Sequence, residues 1–168
     1  HYIDVHTARV ENAREPFDTP YDVNIMIEVA TTTDTDIAES LQKVMASMMQ
    51  NGAILDAVVA QNETQRRAMR DRREAAAELT FWRKPIVDTD VALPLDLVGT
   101  FLEQTNAKVI EADNGAKPFY IAHLGDGNVH YSVYPSSEDS TLNDKIVEII
   151  EEVVERLGGS FSAEHGIG

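Results

Sequence analysis

Apolar positions along the chain alternate between a spacing typical of strands and a spacing typical of helices. Short apolar runs predict strands at residues 23–30, 53–60, 84–95, 119–124 and 128–134. Apolar stripes with helical spacing predict helices at about 35–50, 63–79, 95–107 and 139–157. The pattern predicts an α+β fold, a two-layer ferredoxin-like sandwich whose mainly antiparallel sheet is covered by helices on one face.

The same pattern divides the chain into an arm and a domain. Residues 1–21 are mostly polar and predict a loosely held N-terminal arm, and residues 22–168 predict a single domain. A doubly wound parallel sheet fits less well, because no G-x-G-x-x-G follows the first strand and a hairpin occurs near the end.

Charge and cysteine content exclude several kinds of partner and site. The 29 acidic and 14 basic residues give a net charge of −15, which would repel a phosphate backbone, so we expect no nucleic-acid partner. An anionic small molecule would need a local positive site. The chain has no cysteine, which excludes disulfides, thiolate metal ligands and a cysteine nucleophile.

Localisation signals are absent from the sequence as given. No apolar run approaches the roughly 18 residues that a membrane span needs, and the first residues lack the basic and apolar regions of a signal peptide. We expect a cytoplasmic protein with no membrane span. The chain starts at His1 rather than Met, so we also expect sequence upstream of it.

The stretch HLGDGNVHYSVYP at 123–135 contains the strongest turn signal in the chain. Asp126-Gly127 is typical of the two central residues of a type I′ hairpin turn. In that turn His123 lies directly opposite His130, with the two Cβ atoms about 4.5–5.5 Å apart. Both imidazoles could then reach one small ion.

These histidines and a later carboxylate form a candidate metal site. Two imidazoles and a carboxylate with one open position are typical of a catalytic divalent ion such as zinc, and His123, His130 and Glu164 supply that set. His165 could then act as a base, and Asn128 could donate a hydrogen bond to a bound oxygen. Taken singly, each of these residues is more often an ordinary surface or core side chain.

An arginine-rich helix is the second candidate. Arg66, Arg70 and Arg73 share one helical face and could bind a carboxylate in a two-pronged manner. The alternative is a solvated helix with i,i+4 ion pairs, Arg67 with Asp71 and Arg70 with Glu74.

HLGDGNVH followed by SAEHGIG resembles the paired signature in the C-terminal half of FAD-linked oxidases related to vanillyl-alcohol oxidase, nearest to D-lactate, D-2-hydroxyglutarate and glycolate dehydrogenases. RREAAAELTFWRKPIVDTDVALPL resembles the Arg-Glu helix and following Asp-x-x-x-Pro strand of those enzymes. The resemblance covers about residues 22–168. It implies a cap that binds a 2-hydroxy acid, while a separate flavin-binding domain, missing here, holds most of the FAD.

The resemblance also implies residue roles. His123, His130 and Glu164 would be ligands of a divalent metal, His165 would take the hydroxyl proton while a hydride passes to the flavin, and Arg73 would clamp the substrate carboxylate.

Two departures concern the substrate. The dicarboxylate-specific enzymes have a threonine and a lysine where this chain has Ala77 and Asp88. Asp88 would repel a second carboxylate, which argues against D-2-hydroxyglutarate unless Lys84 replaces the lost charge.

Two other functions stay open at this point. The same two histidines and glutamate could serve a self-contained metal-dependent hydrolase, or the domain could be a non-catalytic binding module. Exposed sheet edges could also pair with a second copy, as a homodimer.

Overall fold

The computed structural model describes residues 2–32, 34 and 36–161. Contacts between residues divide the chain into two compact units. Residues 3–75 form the first unit, and the second comprises Tyr2 and the residues from Ala76 onwards. In the described part of the chain, no helix is both long enough and apolar enough to cross a lipid bilayer.

Three helices account for the regular structure of the first unit: α1 (Tyr2–Arg9), which lies in the predicted arm and whose first residue is grouped with the second unit, α2 (Ile37–Gln50) and α3 (Glu63–Glu74). Asp36 caps α2 by accepting a hydrogen bond from the Glu39 amide at 2.9 Å. Asn62 caps α3 in the same way, since its side chain accepts from the Gln65 amide at 3.0 Å.

The prediction of two strands in this unit is wrong. Residues 23–30 and 53–60 belong to no strand, and most of their large apolar side chains face solvent, including Val23 at 65% and Leu55 at 76% exposure. An apolar run becomes a strand only when a second backbone supplies ladder hydrogen bonds, and neither run has such a partner among the described residues.

The second unit contains the sheet. Its elements in chain order are α4 (Ala76–Thr80), β1 (Val87–Ala92), a 3₁₀ turn (Leu95–Leu97), α5 (Val98–Ala112), β2 (Lys117–His123), β3 (Asn128–Tyr134) and α6 (Ser140–Arg156). The strands form an antiparallel sheet in the order β1-β3-β2. The α+β fold predicted from the sequence is therefore confirmed. The single helix predicted over 63–79 is instead α3 and α4, divided at Ala75.

One face of the sheet packs against α5 and α6. Alternate residues of the strands enter this core, among them Val91, Val129, Tyr131 and Val133, together with Phe101 of α5 and Ile146 and Ile150 of α6. The Tyr131 ring lies edge-on to the Phe101 ring, 5.5 Å between centroids. The Tyr131 hydroxyl donates to Oδ1 of Asn106 at 2.8 Å, so its polar atom is satisfied inside the core. Burial raises the pKa of Tyr131 far above its ordinary value.

The loop between β2 and β3 differs from the predicted two-residue turn. Residues 124–127 form a four-residue loop, closed by a hydrogen bond from the Gly127 amide to the His123 carbonyl at 3.1 Å. A type I′ turn needs a positive φ at both central residues. Here Gly127 has a φ of +81°, but the φ of Asp126 is not positive. His123 consequently faces Asn128, and His130 faces Ile121. The predicted direct pairing of the two histidines is wrong by two residues.

Candidate functional site

The sheet face opposite α5 and α6, here called the histidine face, carries polar side chains at its centre. Because side chains alternate along a strand, the register places its residues in three cross-strand rows. The first row is Ala92, Asn128 and His123. The second is Asp90, His130 and Ile121, and the third is Asp88, Ser132 and Phe119. Both histidines therefore share a face, because a register change of two residues leaves side chains on the same side.

The two imidazole rings meet diagonally between the first and second rows. Nε2 of His123 lies 3.3 Å from Nε2 of His130, and the ring centroids are 5.3 Å apart at an angle of 79°. Two imidazole nitrogens that bind one zinc ion tetrahedrally at about 2.0–2.1 Å would lie roughly 3.3 Å apart. The ring spacing therefore fits a shared divalent ion. Without an ion, the same two atoms can share one proton in a hydrogen bond.

Asp90 lies behind His130. The two residues are direct cross-strand partners, and Oδ1 of Asp90 is 3.5 Å from Nδ1 of His130. The side chains are 16% and 31% exposed respectively. A carboxylate at Nδ1 favours the tautomer that leaves the Nε2 lone pair directed toward His123. Sequence reasoning did not assign Asp90 to the site. Asp88 and Asp90 are two residues apart in a predicted strand, however, so their side chains were expected on the same face.

Asn128 is the first residue of β3 rather than part of the turn. Its side chain is almost fully buried, at 3% exposure, on the histidine face directly opposite His123. Its backbone amide donates to Oδ1 of Asp126 at 3.1 Å, which fixes the start of the strand. The predicted role of Asn128 in holding a bound oxygen stays a prediction.

The described chain ends beside the first row. Ala92 and Ser160 form an isolated antiparallel bridge, with both amide-to-carbonyl hydrogen bonds at 2.9 Å. Glu164 and His165 follow within five residues and lie outside the described residues.

Asp88 and Ser132 form a hydrogen-bonded pair in the third row. They are cross-strand partners, and the Ser132 hydroxyl donates to Oδ1 of Asp88. Ser132 is 1% exposed, whereas Asp88 is exposed to solvent. Sequence reasoning noted Asp88 but missed Ser132, because only the register reveals which residue faces it.

Lys84 and Arg73, the other two predicted substrate-binding residues, contact side chains near them in the sequence. Lys84 precedes β1, and its Nζ lies 5.6 Å from the centroid of the Phe81 ring. Arg73 is the second-last residue of α3 in the first unit. Its Nη1 contacts Oε1 of Glu74 at 2.5 Å, and 53% of its side chain is exposed. An exposed pair of this kind stabilises little, so it would not prevent Arg73 from binding another carboxylate. Their substrate roles stay predictions.

The other arginines of α3 are paired differently from the predicted i,i+4 scheme. Arg70 makes a two-pronged ion pair with Glu28, and Arg66 pairs with Glu63. The hydrogen bond from Arg70 lowers the pKa of Glu28 below its ordinary value, although burial opposes this shift. These contacts favour a structural role for both arginines.

Within the described residues, no group of three or more histidine and carboxylate side chains is arranged to hold a metal ion. His123 and His130 supply two of the three predicted ligands, and Glu164, the predicted third, lies outside the described part. The metal site is therefore a proposal.

Comparison with known proteins identifies the family of the chain. Residues 2–168 match the model of the FAD linked oxidases, C-terminal domain. The chain belongs to this family. The resemblance inferred from HLGDGNVH and SAEHGIG is therefore confirmed, and the α+β unit with its histidine face is part of an FAD linked oxidase C-terminal domain.

Relatives with curated names fall in two groups by substrate. A rice protein (Oryza sativa subsp. indica) named as a probable mitochondrial D-2-hydroxyglutarate dehydrogenase is 25% identical, over 100% of this chain and 30% of its own length. A Schizosaccharomyces pombe protein with the provisional name mitochondrial D-lactate dehydrogenase is 25% identical, over 95% of this chain and 32% of its own. The D-2-hydroxyglutarate dehydrogenase of Stutzerimonas stutzeri is 28% identical, over 91% of this chain and 34% of its own length. The chain thus spans about a third of these relatives.

Proposed function

We propose that this chain is the substrate-binding cap of an FAD-dependent dehydrogenase that oxidises a D-2-hydroxy acid, and that His123 and His130 hold a divalent ion beside the flavin. The observation that carries the proposal is the 3.3 Å approach of the two Nε2 atoms within a chain of the FAD linked oxidase family. The relatives reported above carry the names of dehydrogenases of 2-hydroxy acids, which supports the reaction class.

The chemistry requires a site that binds the 2-hydroxy acid and accepts its proton. The bound ion would supply a Lewis acid for the hydroxyl and carboxylate oxygens, and the flavin a two-electron acceptor for the hydrogen at C2. Asp90 would keep the His130 ring oriented, and Asn128 would donate a hydrogen bond to a substrate oxygen. His165 would accept the hydroxyl proton, and Arg73 would bind the carboxylate.

The position of Ser160 supports a contribution from the C-terminal residues. Its bridge to Ala92 places the chain beside the row of Asn128 and His123. In this proposal Glu164 would supply a carboxylate ligand and His165 a base; both lie outside the described residues. The hydrolase and the binding module, which the sequence left open, have no comparable observation in their favour.

The test uses the full-length polypeptide that carries this sequence, purified with its flavin. Mixing it anaerobically with D-lactate or D-2-hydroxyglutarate should bleach the flavin with at least one substrate. The variant His130→Ala should slow this reduction by about 100-fold or more, because it removes an ion ligand. Glu103→Ala, an exposed change on α5, is the control and should reduce at the wild-type rate.

Two outcomes would contradict the proposal. The first is a bound flavin that no 2-hydroxy acid reduces, and the second is His130→Ala reacting as fast as the control. Hydrolysis of esters or phosphates by a flavin-free, metal-loaded protein would instead favour the hydrolase.

A further inference from the structure

The backbone holds the two imidazoles to different degrees. His130 lies in the middle of β3, between Asp90 of β1 and Ile121 of β2, so ladder pairing fixes it on both sides. His123 is the last residue of β2, at the edge of the sheet that the structure describes. The end of an edge strand opens more readily than the middle of a central strand unless further contacts hold it. The spacing between the two rings therefore depends on what fixes His123.

The loop that follows His123 is joined to the end of β1. The Gly127 amide donates to the His123 carbonyl at 3.1 Å, and the Gly127 carbonyl accepts from the Leu93 amide at 2.9 Å. Gly127 and Leu93 are both buried, and a Cβ on Gly127 would lie 2.0 Å from the Leu93 carbonyl oxygen. Backbone contacts backbone at this point, which only glycine permits. The two hydrogen bonds thus connect His123 to β1 without passing through β3.

The peptide unit between Ala92 and Leu93 is held on its other side as well. Its N–H donates to Gly127, and its carbonyl oxygen accepts from the Ser160 amide at 2.9 Å. A Cβ on Gly159 would lie 2.5 Å from that oxygen. Because a peptide unit is planar and rigid, a displacement of its oxygen also moves its N–H. We call this arrangement the glycine clamp, which comprises Gly127, Ala92, Leu93, Gly159 and Ser160.

We infer that the glycine clamp positions the ring of His123 against that of His130. Gly127 and Gly159 are then positioning residues of the imidazole pair. At both glycines the atom nearest to an added Cβ is a backbone oxygen of the clamp, which cannot rotate away as the end of a side chain can. A side chain at either position would displace the hairpin loop or the shared peptide unit, and with it His123. The effect on metal binding rests on the proposed function, whereas the effect on the ring spacing does not.

The first measurement is a calorimetric titration of the full-length flavoprotein with Co²⁺. Gly127→Ala and Gly159→Ala should each weaken Co²⁺ binding by about tenfold or more, because one ligand is displaced. If Gly127→Ala does not fold, Gly159→Ala decides, since it lies outside the hairpin. Gly158→Ala is the matched control, because nothing lies within 4 Å of its added Cβ, and it should bind Co²⁺ as the wild type does.

Leu93→Ala separates the position of His123 from the stability of the fold. It removes a buried side chain but keeps the backbone N–H and carbonyl of the clamp. Urea unfolding should show a lower midpoint for this variant, because it leaves a cavity in the core. Its Co²⁺ affinity should nevertheless equal that of the wild type.

The second measurement needs no metal. In the metal-free protein labelled with ¹⁵N-histidine, NMR reports whether each ring nitrogen carries or shares a proton. The Nε2 signals of His123 and His130 should change in Gly127→Ala and Gly159→Ala, because the rings move apart, and should stay unchanged in Gly158→Ala.

The outcomes separate the glycine clamp from the proposed function. If the wild type binds no Co²⁺ but the ring signals respond as expected, the metal site fails and the clamp stands. Wild-type ring signals in Gly127→Ala and Gly159→Ala would overturn the clamp. A loss of Co²⁺ affinity in Leu93→Ala as large as in Gly159→Ala would also overturn it, since lower stability alone would then explain the weaker binding.

Discussion

Nε2 of His123 lies 3.3 Å from Nε2 of His130, although the two residues are not cross-strand partners. Their backbone partners are Asn128 and Ile121, and the rings converge across the diagonal of the hairpin. Diagonal neighbours on one face of an antiparallel pair are still within reach of long side chains, and here the two rings bring their Nε2 atoms together. The spacing fits two ligands of one ion.

Divalent metal binding should therefore depend on both rings. Titration of the purified protein with Co²⁺ should give one site per chain, and His123→Ala and His130→Ala should each weaken it by at least about tenfold. The visible absorption of bound Co²⁺ measures this directly. Asp144→Ala on the exposed side of α6 serves as the control. Equal Co²⁺ affinity in the wild type and both histidine variants would show that the rings share only a hydrogen bond.

Asp90 should act on the metal through His130. Oδ1 of Asp90 lies 3.5 Å from Nδ1 of His130, so Asp90→Asn keeps the shape of the side chain but removes the charge that orients the ring. We expect this variant to bind Co²⁺ about 10–100-fold more weakly while its unfolding midpoint in urea changes little. Asp96→Asn removes the same charge from the turn after β1. If Asp90→Asn and Asp96→Asn lost the same amount of Co²⁺ affinity, the cause would be the change in net charge rather than the orientation of His130.

The sequence predicted the hairpin but not its register. Asp126-Gly127 marks a turn correctly, yet the number of loop residues depends on contacts that local chemistry does not show. The Gly127 carbonyl accepts a hydrogen bond from the Leu93 amide at 2.9 Å, so the loop is also held by the residue that follows β1. The shared face of His123 and His130 was predictable because an error of two residues in register preserves it.

Other errors share a non-local cause. The apolar runs at 23–30 and 53–60 carry a strand pattern, but a strand requires a partner that no local pattern specifies. Asp90 and Ser132 likewise became recognisable as neighbours of the site only when β1 was placed beside β3. By contrast, α6 was predicted within two residues, because its capping residue Asp139 and its apolar stripe are both local signals.

Gly127 should tolerate no side chain. It has φ +81°, and a Cβ built there would lie 2.0 Å from the carbonyl oxygen of Leu93. We expect Gly127→Ala to lower the free energy of unfolding by about 3 kcal/mol or more, measured by urea denaturation. Gly158→Ala is the matched control, since Gly158 has φ +72° with nothing within 4 Å of the added Cβ, and should cost about 1 kcal/mol. Equal costs would mean that the Leu93 contact is unimportant.

Asp113 should make the stability of the second unit depend on pH. Burial by itself would raise the pKa of Asp113, but hydrogen bonds from Ser136, Gly115 and Ala116 outweigh burial and lower it. The Ser136 amide donates to Oδ2 at 2.8 Å and the Gly115 amide to Oδ1 at 3.0 Å, which joins the end of α5 to the segment after β3.

Asp113→Asn should therefore lower the free energy of unfolding at neutral pH by about 1–3 kcal/mol, because one acceptor is replaced by a donor that faces a backbone N–H. A folded-state pKa below the unfolded value means that the carboxylate stabilises the fold above that value, and that this contribution is lost as pH falls through the folded pKa. Urea unfolding should thus show the gap between wild type and variant narrowing below about pH 4. Asp144→Asn, an exposed change on α6, should have the same free energy of unfolding as the wild type at every pH. If the difference between wild type and Asp113→Asn stayed unchanged at acid pH, the loss of stability would come from the altered side-chain shape and not from the lost charge.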